Sequence, residues 1–333
     1  MSAAAPAVDV RPRATEALAS WGRRNAWVIG LLGFLALLLA FTRIIQPNYG
    51  VPGVQGLGIS VLPLALAAVA QAIVVISGGI DLSIGSMMAL TSVVAAVLMD
   101  GQSEAFSVVV VIGVLLLGLL LGAVNGTLVV ITRVPDIVVT LAMSFVWAGV
   151  ALLILKTPGG GSAVWLKDLV SGPFLNEWIP KATVVLIVVV ALIWIPLRRS
   201  TLGLSIYAIG SLRLAAFRSG VPVDRTRIIS YALTGLFCAL GGLSLTASTG
   251  IATPVPGPYT LLSVAAIVLG GVSLAGGRGG VFGPIIAVVI LQLIRTDMTF
   301  LNVNTNLAVV VQGVILIGVV MIGSLIQIRR ANA

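Results

Sequence analysis

Ser77-Gly78-Gly79-Ile80-Asp81-Leu82-Ser83-Ile84-Gly85-Ser86 lies between two long apolar runs. A carboxylate among glycines at the mouth of a membrane helix is costly, because lipid neither satisfies exposed backbone nor stabilises a charge. The segment must be buried in protein, reach water, or line a path that something crosses. The surrounding chain sets the context. Its 333 residues are 59% hydrophobic and only 9% charged, with a mean hydropathy of +1.18. A soluble domain carries roughly 25% charged residues. The expected fold class is therefore all-α, a polytopic integral membrane protein.

The same composition excludes several function classes. The net charge of +9 is spread between hydrophobic spans and lines no single polar domain, so a nucleic-acid partner is not expected. Histidine is absent and Cys238 is the one cysteine, so neither a disulfide framework nor a thiolate metal site is expected. No G-x-x-x-x-G-K-[ST] phosphate loop is present. With few acidic residues and no histidine, an intramembrane enzyme lacks its constellation, and so does an ion-coupled transporter that needs titratable groups at mid-span. The chain is expected to be no enzyme and to bind no cofactor itself.

A bilayer core of about 30 Å needs roughly 20 apolar residues in a helix. On that basis about ten spans are expected, at 25–45, 54–77, 84–100, 106–132, 136–156, 182–198, 228–249, 260–273, 280–297 and 305–327. Residues 1–24 read as a cytoplasmic tail and 25–328 as the membrane domain. With both termini inside, Arg11, Arg13, Arg23, Arg24, Arg133, Arg198, Arg199, Arg213, Arg218, Arg225, Arg227, Arg278, Arg329 and Arg330 face the cytoplasm. Arg43, Lys156, Lys167, Lys181 and Arg295 face outward, a ratio of 14 to 5 among the 19 basic residues. This asymmetry obeys the positive-inside rule.

Two loops are long. The external one, 156–181, contains Pro158-Gly159-Gly160-Gly161, Trp165 and Trp178. It suits either a lid or docking surface, or an interfacial loop anchored by its tryptophans. The cytoplasmic one, 198–227, contains Gly210, Arg213, Ala215, Ala216, Arg218, Ser219 and Gly220. Leu212 to Ser219 fits one or two helical turns, ended by Gly220 and Pro222. Paired alanines let another backbone approach, and Arg213 and Arg218 can meet carboxylates on a partner. The alternative is a surface helix held by its arginines to anionic lipid.

Four blocks, in order along nearly the whole chain, resemble the permease subunits of ABC importers of the ribose/xylose/galactoside type (carbohydrate uptake class 2). The first is Gly78-Gly79-Ile80-Asp81-Leu82-Ser83-Ile84-Gly85. The second is Gly122-Ala123-Val124-Asn125-Gly126 with Pro135, Ile137, Thr140-Leu141 and Met143. The third is Gly210, Ala215-Ala216 and Ser219-Gly220. The fourth runs from Ala265 to Gly279 and includes Gly270, Gly271, Gly276, Gly277 and Arg278. The chain departs from the family pattern at Leu212 and Leu214, where Asn and an acidic residue are usual, at Asp136, commonly aromatic, and at Ser263, often acidic.

The resemblance implies a type II ABC importer-like fold in a bacterial cytoplasmic (inner) membrane, forming half of a pathway for a monosaccharide or related polyol. Nucleosides or branched-chain amino acids are the alternative cargo. Its implied partners are ATP-binding subunits that hold ATP and Mg, a periplasmic or lipid-anchored solute-binding protein, a second permease copy or paralogue, and membrane lipid. Residues 198–227 would be the coupling loop, contacting the ATPase through Gly210, Arg213, Ala215, Ala216, Arg218, Ser219 and Gly220. Gly78, Gly79, Asp81, Ser83 and Asn125 would belong to the pathway or its gate. Three roles are open to Asp81: accepting sugar hydroxyls, pairing with an arginine, or capping the helix near Ser83. Asn125 needs an amide partner, either another helix or substrate. The glycines of the fourth block form an inner turn, suited to anion binding through its amides or to a tight turn facing the ATPase.

Overall fold

A computed structural model describes residues 26–304 and scattered positions between 307 and 321. Among the described residues the structure is helical, with two isolated bridges in place of a sheet. Twelve helices follow in order: α1 (Ala26–Ile45), α2 (Val51–Ile76), α3 (Ile84–Met99), α4 (Glu104–Thr132), α5 (Asp136–Ile154), α6 (Val164–Val170), α7 (Lys181–Arg199), α8 (Thr201–Ser211), α9 (Arg213–Arg218), α10 (Val223–Thr249), α11 (Tyr259–Leu269) and α12 (Phe282–Phe300). Seven of these (α1, α2, α4, α5, α7, α10 and α12) are long and apolar enough to cross a membrane.

Of the about ten spans expected, seven stand by length and hydropathy among the described residues. The expected spans at 84–100 and 260–273 form helices of 16 and 11 residues, which reach about 24 and 16 Å against a core of about 30 Å. The expected span at 305–327 and the tail at 1–24 lie outside the continuously described residues. The loop at 198–227 is more structured than expected, since α8 and α9 occupy most of it.

Local chemistry explains the ends. Ser103 caps α4, its hydroxyl accepting the Phe106 amide at 3.3 Å, with Glu104 in the first turn where the dipole favours it. Pro52 enters the first turn of α2, where its missing N–H costs nothing. Gly250 closes α10 at φ 80°, its amide returning to the Thr246 carbonyl.

The centre is built from α2 and α10. Every residue of α2 from Val61 to Ile76 is buried, and α10 packs against α2, α3 and α4. Lipid offers no hydrophobic drive between helices, so close packing of small residues must hold them. Gly118, Gly122 and Gly126 recur every fourth residue on α4 and meet α10 at Gly235, Tyr231 and Ile228. A β-carbon at Gly122 would strike the Tyr231 carbonyl, and one at Gly235 the Gly118 carbonyl. In contrast, α1 and α5 are mostly exposed and carry outward Ile44, Phe145 and Leu153.

Contacts sort the helix termini into two ends. At one, Trp27 Nε1 donates to the Leu269 carbonyl at 2.8 Å and Arg227 pairs with Asp136. At the other, Tyr49 meets Phe300 edge-on at 5.9 Å, Gly159 bridges Ala252, and Gln55 donates to the Glu177 carbonyl.

A direct check of the α4–α10 seam compares two glycines on one helix. Gly122→Val should cost about 1–3 kcal/mol through overpacking and visibly lower the melting temperature of the purified protein. Gly113→Val, at a position with open space around it, should leave the melting temperature unchanged.

Candidate functional site

Residues 77–83 join α2 to α3, starting with Gly78 at φ 84°, a left-handed conformation that glycine adopts without penalty. The Ile76 carbonyl, left free at the end of α2, accepts the Gly277 amide at 2.9 Å. Gly210 of α8 lies against that same carbonyl, and a β-carbon there would collide with it. Gly276, at φ 85°, sits against Gly210 and Gly78. Tyr207, one turn before Ser211, donates to the Gly279 carbonyl at 2.7 Å. Burial raises the pKa of this phenol and Arg198 partly opposes the rise, so it remains a donor at physiological pH. Three of the four sequence blocks thus meet backbone to backbone at one end of the bundle.

From that junction the chain runs inward. Asp81 is fully buried, and its Oδ1 accepts the Ser83 amide at 2.8 Å and the Ser83 hydroxyl at 2.6 Å. This is a local turn in which the aspartate accepts the amide two residues on, just ahead of α3, whose N-cap Ser83 makes no side-chain cap bond. Asn125 Nδ2 donates to Ser83 Oγ at 2.7 Å, and Trp147 Nε1 donates to Asn125 Oδ1 at 3.2 Å. A continuous polar chain therefore links the start of α3 to α4 and α5. Asn125 stands seven residues before the end of α4, about 10 Å of helix, so α3 begins well inside the bundle. Asp81 Oδ2 is buried without a hydrogen-bond partner.

A second irregular segment reaches the same depth. Residues 250–258 carry Pro254, Pro256 and Pro258, which cannot donate to a helix ladder. They lead to α11, where Thr260 Oγ1 accepts the Gly85 amide at 2.9 Å. The starts of α3 and α11 thus face each other inside the protein.

The remaining expected site residues divide. On α9 only Ala216 is buried, against Ile209 and Val223. Arg213, Ala215, Arg218, Ser219 and Gly220 are exposed, as are Leu212, Leu214 and Phe217. Arg213 stands 3.6 Å from Asp224. Gly270 and Gly271 do not join the junction: Gly270 packs on Pro284 of α12, and Gly271 lies under the Trp27 ring. The Arg278 side chain is exposed.

Sequence reading passed over one group. Arg227 Nη2 donates to both Asp136 oxygens at 2.6 Å, and Tyr231 donates to Asp136 Oδ2 at 2.9 Å. One turn on, Thr140 Oγ1 accepts the Leu82 amide at 3.0 Å. The available signal was the spacing: Asp136 and Thr140 on one helix, and Arg227 and Tyr231 on another, are each i, i+4 pairs sharing a face.

Seven helices long and apolar enough to cross a membrane, packed around a buried polar chain, make this a polytopic membrane protein. The chain belongs to the family described as branched-chain amino acid transport system / permease component, whose model matches residues 53–320. It is similar to the ribose import permease protein RbsC of Escherichia coli strain K12, 32% identical over 311 residues, 90% of this chain and 96% of that protein. The Bacillus subtilis strain 168 ribose import permease protein RbsC is 32% identical over 298 residues, 86% of this chain and 90% of its own. The autoinducer 2 import system permease protein LsrD of Escherichia coli O9:H4 is 28% identical over 323 residues, 92% and 94% of the two chains. These relatives bear out the resemblance carried by the four blocks. No solved structure matches the chain.

Asn125→Ala would strand the Trp147 indole and remove the donor to Ser83 Oγ, whose own bond to Asp81 stays. Leaving buried polar groups unpaired costs about 1–3 kcal/mol, so the purified variant should melt several degrees below the wild type and its Trp147 fluorescence should change.

Proposed function

We propose that the chain forms half of the transmembrane pathway of an ATP-driven importer for a monosaccharide or related polyol in a bacterial cytoplasmic membrane. In this reading ten spans place both termini and residues 198–227 in the cytosol. The arginines clustered at the Gly210 end, against the lysines at the Trp178 end, support that orientation. ATPase subunits carrying ATP and Mg dock on α9, a solute-binding protein docks at 156–181, and a second permease copy or paralogue completes the pore.

One observation carries the reading: Gly210, on the segment proposed to receive the ATPase, lies against the turn that leads to Asp81. Closure of the ATPases on ATP would displace α8 and α9. The backbone junction would pass that displacement to Gly78 and the start of α3, exchanging outward- and inward-open states. Gly78, Gly79, Asp81, Ser83 and Asn125 border the passage in this scheme, and Gly276, Gly277 and Arg278 brace it from the cytosol. Full-length similarity to a ribose and an autoinducer 2 permease favours a small hydroxylated cargo. The family description, which names branched-chain amino acids, supplies the second reading.

Uptake by membrane vesicles containing the permease, its ATPase and its binding protein decides between them. Labelled pentoses or hexoses should accumulate only with ATP. Accumulation of leucine or nucleosides instead, or sugar uptake driven by an ion gradient without the ATPase, would refute the proposal. A cysteine at Leu212 in a Cys238→Ala background should react with an impermeant maleimide only from the cytosolic side, and reaction from outside would reverse the orientation.

A further inference from the structure

The geometry points to Asp136, Arg227 and Tyr231 as positioning residues that tie the α9 end to the buried Asp81 network during transport, an inference that rests on the importer reading above. Only about a tenth of the α5 span is buried, and beyond its first turns α5 is held by packing on α3 and by the Trp147–Asn125 hydrogen bond. Its first turn is held firmly. Arg227 grips both oxygens of Asp136 at 2.6 Å, Tyr231 adds a third donor at 2.9 Å, and both donors come from one face of α10.

The grip lies directly on the glycine turn. A β-carbon at Gly79 would come within 2.6 Å of Asp136 Oδ2 and 2.8 Å of the Tyr231 oxygen. Thr140 accepts the Leu82 amide and faces the Ile80 carbonyl at 3.2 Å, so residues 80–82 are strapped to α5 as well. One path therefore runs from Ala216 of α9 to Val223, along α10 to Arg227, across to Asp136, and through Thr140 to Leu82, next to Asp81.

An ion pair suits this task better than an apolar contact would. Desolvating two charges costs several kcal/mol per ion, so a buried pair is weak evidence of a purely stabilising role. It is directional, however, and either made or broken. A cavity of about 990 Å³ opens beside it at the Gly210 end, walled by Arg133, Arg213, Arg225, Leu214 and Phe217. Water entering there can solvate the two charges when they part, which lowers the cost of release.

The test uses the reconstituted complex of permease, ATPase and binding protein, with Asp136→Asn and Tyr231→Phe variants, and reads sugar imported per ATP hydrolysed. Both variants should retain the ATPase on purification and continue to hydrolyse ATP. The ratio should fall about tenfold for Asp136→Asn and about threefold for Tyr231→Phe, within the range expected for coupling residues. Unchanged ratios, or hydrolysis and uptake falling in equal proportion, would overturn the inference. Should Asp136→Asn fail to fold, Tyr231→Phe, which keeps the ion pair, decides alone: a wild-type ratio overturns the inference. A wild-type complex that binds no ATPase would refute the importer reading instead.

Discussion

Three stretches of backbone meet at the foot of α2, and no side chain separates them. The Ile76 carbonyl takes the Gly277 amide while Gly210 and Gly276 close around it and Gly78. Surrounding apolar helices supply no water to hydrate that carbonyl, so it needs a protein partner. Glycine at each position carries an entropic cost in the unfolded chain, which close approach and left-handed φ angles make necessary. Contact between backbones also leaves no rotamer to absorb a displacement. What moves α8 must move the start of the 77–83 turn or break the hydrogen bond.

The rest of the molecule divides into parts that resist deformation and parts that permit it. The glycine stripe of α4 and the small residues of α10 bring two helices close enough that carbonyls touch where side chains would stand. That seam, with α2 behind it, forms the stiff centre. Around it α3 and α11 begin inside the protein on irregular backbone, and α5 leans on the centre through its first turn, through α3 and through Trp147. Buried polar groups join the two kinds of part. Asp81, Ser83, Asn125 and Trp147 span three elements with successive hydrogen bonds. In a low-dielectric interior each of these bonds is strong and each missing partner expensive.

Much of this was legible in the sequence. Hydropathy located α1, α2, α4, α5, α7, α10 and α12, because the bilayer imposes a length that apolar runs record directly. The glycines at 78, 210, 276 and 277 stood out in the four blocks, and α9 emerged between Leu212 and Ser219. Their convergence was not legible, since nothing local in Gly210 shows that it touches Ile76. The pairing of Asp136 with Arg227 was hidden for the same reason: 91 residues separate them, and each alone resembles an ordinary charge at a helix end. The span at 260–273 read as short and punctuated by glycine, and its helix ends earlier still, at Gly270. Hydropathy measures partition into lipid, and it does not register where a glycine pair turns the chain.

The claim that the three glycine segments form a single mechanical unit is tested most directly by hydrogen–deuterium exchange on the complex with its ATPase, with and without a non-hydrolysable ATP analogue. Peptides covering 76–83, 207–213 and 273–280 should change protection together, in the same direction and to a similar extent. A change confined to 207–213, with 76–83 and 273–280 unaffected, would contradict the account.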